Sequence, residues 1–164
     1  MIVVCGALIF VGAGSYIYYN TTVLNPFITS DQREDLQEQY EREFGKFVDA
    51  AVPIPTDVVV TADIYPKERR INASVVMQIE NKSQQPITRV LVNKPYRTHK
   101  WSVEVDGAQL GELNEQYRHA WLEFTEPMQP NESREIVMSV ERYTKGFVDR
   151  GSDEQLLYNG TFID

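Results

Sequence analysis

The chain has 164 residues, 42% of them hydrophobic and 24% charged, and a formal net charge of −8. That length supplies one domain of ordinary size rather than two cores, and the apolar fraction excludes a disordered tail. The acidic balance argues against nucleic acid, whose phosphates need clustered Lys and Arg, and a single cysteine excludes a disulfide framework or a cysteine-based zinc knuckle.

Met1 to Ser30 contains no Asp, Glu, Lys or Arg, so all 24 acidic and 16 basic side chains lie downstream. The run Ile2 to Tyr19 is apolar apart from Ser15 and small glycines. As a helix its ~18 residues rise ~27 Å, close to the ~30 Å hydrocarbon thickness of a bilayer. Tyr16, Tyr18 and Tyr19 fall where an interfacial aromatic belt sits, and Asn20-Thr21-Thr22 with Asn25-Pro26 predict the helix end. Residues 1–19 therefore read as a transmembrane helix in contact with membrane lipid. Two other readings stand beside it. A signal peptide would want a basic n-region, which is lacking, although Gly12-Ala13-Gly14 imitates a cleavage site. A packed core helix would suit Gly6, Gly12 and Gly14. Cys5 comes too early, after Val4, for a lipoprotein signal. Without a Lys or Arg flank the helix has no orientation signal of its own, so further helices are expected upstream.

Residues 20–55 read as a linker and an amphipathic helix. Thr29-Ser30-Asp31-Gln32 offers a capping box, and Leu36, Tyr40, Phe44, Phe47 and Val48 recur at spacings of three and four as one apolar stripe. Glu38 and Arg42 stand at the supportive i,i+4 spacing on the opposite face. The expected role is packing on the following domain, since an acidic face is repelled by anionic headgroups. Pro53 and Pro55 are expected to end the helix.

Strands dominate residues 56–164. Val58 to Tyr65 is rich in β-branched residues, and Pro66 to Arg70 suits a hairpin connection. In Ile71 to Glu80 the residues Ile71, Ala73, Val75, Met77 and Ile79 alternate with polar ones. Further strands are predicted at Ile87 to Asn93, around Trp101, Val103 and Val105 up to a tight turn at Asp106-Gly107, and around Ala120, Leu122 and Phe124 with Trp121 on the opposite side. Pro127 to Ser133 reads as a loop before a strand from Arg134 to Tyr143, and a last short strand is expected at Thr161 to Asp164. Strands at such intervals predict an antiparallel β-sandwich, so the expected class is mainly β, with one transmembrane and one amphipathic helix in front.

The catalytic inventory is thin. There is no H-E-x-x-H, G-x-S-x-G, P-loop or G-x-G-x-x-G. His119 and Glu123 are four apart, but alternation puts Glu123 opposite Leu122, so His119 reads as a satisfied surface histidine; His99 is the only other histidine. Cys5 sits in apolar surroundings that suppress the thiolate. Trp101 and Trp121 read as sheet packing rather than sugar platforms. Sequons occur at Asn20, Asn72, Asn81, Asn131 and Asn159 and carry no inference. No catalytic, cofactor-binding or metal residue is assigned.

Several patterns in order, Phe44-Gly45-Lys46-Phe47, Asp63 to Arg70, Asn81-Lys82-Ser83, Phe124 to Ser133 and Tyr158 to Ile163, together resemble the N-terminal β-domain of zinc aminopeptidases of the aminopeptidase N type. More narrowly, the chain looks like bacterial membrane proteins in which an ABC-transporter-like permease region precedes such an extracytoplasmic aminopeptidase region. The similarity covers about Ser30 to Asp164; Asn131 replaces the Gly frequent in such loops, which a positive φ tolerates. The resemblance implies a non-catalytic scaffold on the periplasmic side of a bacterial inner membrane. Its partners would be upstream permease helices and a peptidase domain, with zinc held by that domain and no cofactor in this chain. It also implies apolar surface left uncovered in the absence of the peptidase domain. The alternative is a single-pass extracytoplasmic β-sandwich that binds a partner or glycan.

Overall fold

A computed structural model describes residues 2–25, 27–147, 156–157 and 160–161. Helix α1 covers Ile2–Tyr18 and continues as a π-helical stretch over Tyr19–Leu24, so the apolar segment is one helix of 23 residues, long and apolar enough to cross a membrane. The regular α-helix ends at Tyr18, yet the helix does not stop at Asn20: it continues in π form to Leu24 and ends at Asn25, the second of the two expected stops. Asn20 Nδ2 donates to the Tyr16 carbonyl at 2.8 Å and Thr21 Oγ1 to that of Ile17 at 2.9 Å, so side chains read as breakers bond back onto the helix instead.

Helix α2 spans Ser30–Phe44 and carries the expected capping box: Thr29 Oγ1 accepts from the Gln32 N–H at 3.2 Å, and Gln32 Oε1 accepts from the Thr29 N–H at 3.0 Å. A 3-10 turn at Gly45–Phe47 ends it before either proline. Two expectations change here. Val48 falls past the last turn and is 81% exposed, so it is not part of the stripe. Pro55 lies inside a strand rather than in a linker, on the edge strand of its sheet and next to a register irregularity between Pro55 and Asp57, where proline is tolerated.

The rest is antiparallel. Strands β1 (Ile54–Tyr65), β2 (Arg70–Glu80), β7 (Ser133–Tyr143) and β4 (Thr98–Val105) form one sheet in the order β1-β2-β7-β4. Strands β3 (Ile87–Asn93), β6 (His119–Met128) and β5 (Ala108–Leu110) form a second, in the order β3-β6-β5. The Asp106-Gly107 turn, with Gly107 at φ +67°, carries the chain from the first sheet to the second. The core lies between them: Met77, Ile79, Val103, Val105 and Ile136 from one side meet Ile87, Leu122, Phe124 and Met128 from the other. Alternation places these side chains, since Met77 pairs with Ile136 and Ile136 with Val105 along one row of one face. Pro127 and Met128 belong to β6, so the loop before β7 is shorter than expected, and Asn131 in it holds φ +63°. The final strand is a two-residue β9 at Gly160–Thr161 pairing with β8 at Leu156–Leu157; the rest of the expected terminal strand lies outside the described residues.

Asn81 pins the far end of the sandwich. It is fully buried at the end of β2, where its Nδ2 donates to the carbonyls of Gln85 (2.8 Å) and Met128 (2.9 Å). Its Oδ1 accepts from the Ser83 N–H at 3.0 Å and the Ser83 hydroxyl at 2.7 Å. The Asn81-Lys82-Ser83 pattern is therefore a buried Asx turn that ties the two sheets together.

Candidate functional site

Among the described residues no group of three or more His, Cys, Asp or Glu side chains is placed to hold a metal ion. His99 and His119 stand on different strands with different surroundings. The His99 ring stacks on Tyr143 with centroids 3.3 Å apart, and burial, with Lys145 next, pushes its pKa below the usual imidazole range. His119 is not the surface histidine expected. It is 3% exposed, because α2 lies over the outer face of the second sheet: Phe44 meets its ring edge-on at 4.4 Å, and Tyr40 and Tyr117 flank it at 5.8 Å. Burial lowers its pKa, and its Nδ1 has no hydrogen-bond partner. Glu123 is exposed on the same strand and Leu122 is buried on the opposite face, as alternation predicted. Trp101 packs against the core, and Trp121 lies on the outer face under Phe47, ring centroids 5.1 Å apart, with the Arg89 guanidinium 4.2 Å from its ring. Cys5 is exposed on α1.

What the fold presents instead of a catalytic cluster is surface. The first sheet is wider than the second, and its β1 side extends past the cover. Every residue of β1 is exposed. Register puts Val58, Val60, Ala62 and Ile64 beside Met77, Val75, Ala73 and Ile71 on the face that elsewhere forms the core. The second sheet roofs that face over β4, β7 and the Met77–Ile79 end of β2, and leaves β1 uncovered. The result is a continuous apolar strip at the free edge of the sheet, with Val60 60% exposed.

A second surface lies at the opposite margin, where the chain leaves α1. A hollow of about 300 Å³ there is lined by Leu24 and Asn25 at the helix end and by Lys94, Arg97, Arg118 and Lys145 from the sandwich. Linear reading missed it, because these cations come from three separate connections that only the fold gathers. No family model matches the chain, and no curated protein matches it. Fold and surfaces thus define a two-sheet antiparallel β-sandwich carried on an apolar helix.

Proposed function

We propose that this chain is a membrane-anchored, non-catalytic β-domain that scaffolds a zinc-peptidase domain of the aminopeptidase N type, next to permease helices, on the extracytoplasmic side of the membrane. The observation that carries the reading is the uncovered apolar strip on β1. Val58, Val60 and Ile64 stand in water on a face whose other half is a packed core, and roughly 25 cal/mol is gained for each Å² of such surface covered by a neighbour. A domain-sized apolar partner fits this strip better than a small ligand, because the strip is flat and runs the length of a 12-residue strand. The resemblance supplies the identity of the partner: in that family the β-domain packs on the peptidase domain and helps shape its substrate entrance. A sandwich that binds a separate partner would use the same strip, so the two readings differ in what is covalently joined to it.

Two measurements test the proposal. Purified chain is expected to release no amino acid from aminoacyl-anilide substrates, with or without zinc; metal-dependent release would overturn it. The DNA flanking the reading frame is expected to encode hydrophobic segments upstream and an H-E-x-x-H helix downstream. Flanks with neither would leave the separate binding module as the function.

A further inference from the structure

We propose that α2 is a strap released by acid: proton uptake by His119 frees the helix from the outer face of the second sheet while the sandwich stays folded. The inference does not depend on what covers β1, and three observations carry it.

The first is how little holds α2. None of its residues is fully buried. Its grip on the sheet is a set of ring contacts: Tyr40 and Phe44 lie 5.5 and 5.7 Å from Tyr117, and 5.8 and 4.4 Å from His119. A long hydrogen bond from Gln116 Nε2 to Gln39 Oε1, at 3.4 Å, adds to them, and Phe47 in the following turn meets Trp121. Both ends of the segment are anchored independently of these contacts. Asn25 Nδ2 donates to the carbonyls of Lys145 and Phe147, each at 3.1 Å, and β1 begins its pairing at Ile54 opposite Glu80. A helix held so lightly between two fixed points opens locally at less cost than unfolding the sheets.

The second is what the grip closes over. The His119 ring is 3% exposed, and its Nδ1 is buried without a hydrogen-bond partner. A neutral imidazole leaves only a lone pair unmatched there. An imidazolium carries N–H on both nitrogens, so under α2 one donor has no acceptor and the charge has lost its water. Lifting α2 returns both to solvent.

The third is that the neighbouring charges do not compensate. Among the described residues the ring is faced by Tyr40, Glu43 and Phe44 from α2, by Asn114 and Tyr117 from the turn before β6, and by Asn93, its register partner on β3. Lys94 and Glu115, which follow on β3 and in the turn, pair with each other at 3.6 Å, and the Arg118 guanidinium lies 4.7 Å from the Tyr96 ring. Burial lowers the pKa of His119, and the Glu43 carboxylate, which opposes it, is the smaller influence. The sign follows. The covered ring titrates below 6.5 and the uncovered one near that value, so between the two the released form binds more protons and docking weakens as the pH falls. Release bares the rings of Tyr117, His119 and Trp121.

The test is deuterium exchange of the full chain in detergent between about pH 7 and about pH 5.5, corrected for the intrinsic pH dependence of exchange, where carboxylates stay largely ionised. Protection of the α2 amides is expected to fall by up to about tenfold per pH unit below 6.5, and these amides to exchange faster than those of β2 and β7 throughout. His119→Gln is expected to remove the pH dependence. His119→Phe, which fills the cage with an uncharged ring, is expected to remove it as well and to keep α2 docked at the acid end. The imidazole resonance of His119 is expected to titrate below 6.5, and Phe44→Leu, which thins the cover, to move it back toward that value. A His119 pKa at or above 6.5 would mean that the rings favour the cation and would overturn the proposal. So would α2 protection that does not change with pH, or a fall that persists in both His119 variants. Exchange of α2 in step with β2 and β7 would show that the helix does not open alone, and would overturn the strap as well.

Discussion

Replacing Asn81 tests whether the sandwich is pinned where its two sheets meet. Asn81→Ala keeps both backbone bonds, from its own N–H to the Glu132 carbonyl at 3.0 Å and from the Asn131 N–H to its own carbonyl at 2.7 Å. It removes four side-chain bonds. The groups of Ser83 and Gln85 can regain water, at about 0.5 kcal/mol each, but the bond to the Met128 carbonyl is buried and its loss costs about 1–3 kcal/mol. The sum is about 3 kcal/mol, equivalent to ~6–12 °C in Tm for a domain of this size. Thermal unfolding of the full chain in detergent, followed by Trp101 and Trp121 fluorescence, reads it. Asn81→Asp sharpens the test. It keeps the acceptor for Ser83 but sets a carboxylate oxygen against two carbonyl oxygens, so at pH 7 it is expected to be worse than Ala. That loss should shrink as the pH falls and the carboxyl takes up a proton. A Tm for Asn81→Ala within about 2 °C of the parent, or Asp no worse than Ala at pH 7, would refute the reasoning.

Three other perturbations have definite outcomes. Gly146→Ala combines a left-handed backbone with a collision against Asn20; it is expected to cost about 1–2 kcal/mol and to expose residues 144–147 to limited proteolysis while leaving the Trp fluorescence of the core unchanged. His99 and His119 both have pKa values lowered from 6.5 by burial, so below that pH the unfolded chain binds more protons. Stability is therefore expected to fall as the pH drops from about 6.5 toward the depressed folded values, and His119→Gln to flatten that slope in urea titrations. Glu132, held low by the Gln129 N–H and Arg134, and Glu141, held low by Lys100, add a separate loss as the pH falls below 4.5. Val60→Thr on the uncovered strip is expected to change the Tm of the isolated chain by less than about 1 °C, since its side chain already stands in water; a large loss would mean the strip is packed.

The regular parts of the fold were legible because their physics is local. The Thr29 cap with Gln32, the alternation of β2 and β7, and the positive φ at Asn131 each follow from a few neighbouring residues. Misreadings arose where a distant element decided the outcome. His119 looked like a surface residue because strand alternation places it on the outer face, and only the docking of α2 through Phe44 and Tyr40 buries it. Asn20 looked like a helix breaker because its type favours caps, yet it bonds back to Tyr16 and packs beneath Gly146 from the end of β7. The basic hollow had no signature in linear spacing, since Lys94 and Arg97 precede β4, Arg118 precedes β6 and Lys145 follows β7. Which strand carries the uncovered strip depends on the width of one sheet relative to the other, and no local pattern sets that.

That width bears on how a partner would attach. A long edge strand with apolar residues on both faces is a template for edge-to-edge pairing, and natural sheets suppress such pairing with proline and charge. Here Pro55 removes one donor from β1, and Asp57 and Asp63 set negative charges along it on the face opposite Val58 and Val60. A second copy adding its β1 in antiparallel register about Val60 would bring Asp57 of one chain opposite Asp63 of the other, at a cost comparable to a favourable cross-strand pair. The other face has no such defence: Val58, Val60, Ala62 and Ile64 run without a charge. The edge is thus guarded and the face is open, which favours a neighbour that lies across the strip over one that extends the sheet. Val60→Lys should then abolish association with such a neighbour at little cost to the Tm of the isolated chain. Substitutions at Asp57 should promote self-association instead, measurable as a concentration-dependent sedimentation coefficient in detergent. If Asp57→Val leaves the chain as monodisperse as before, the charges are not what guards the edge.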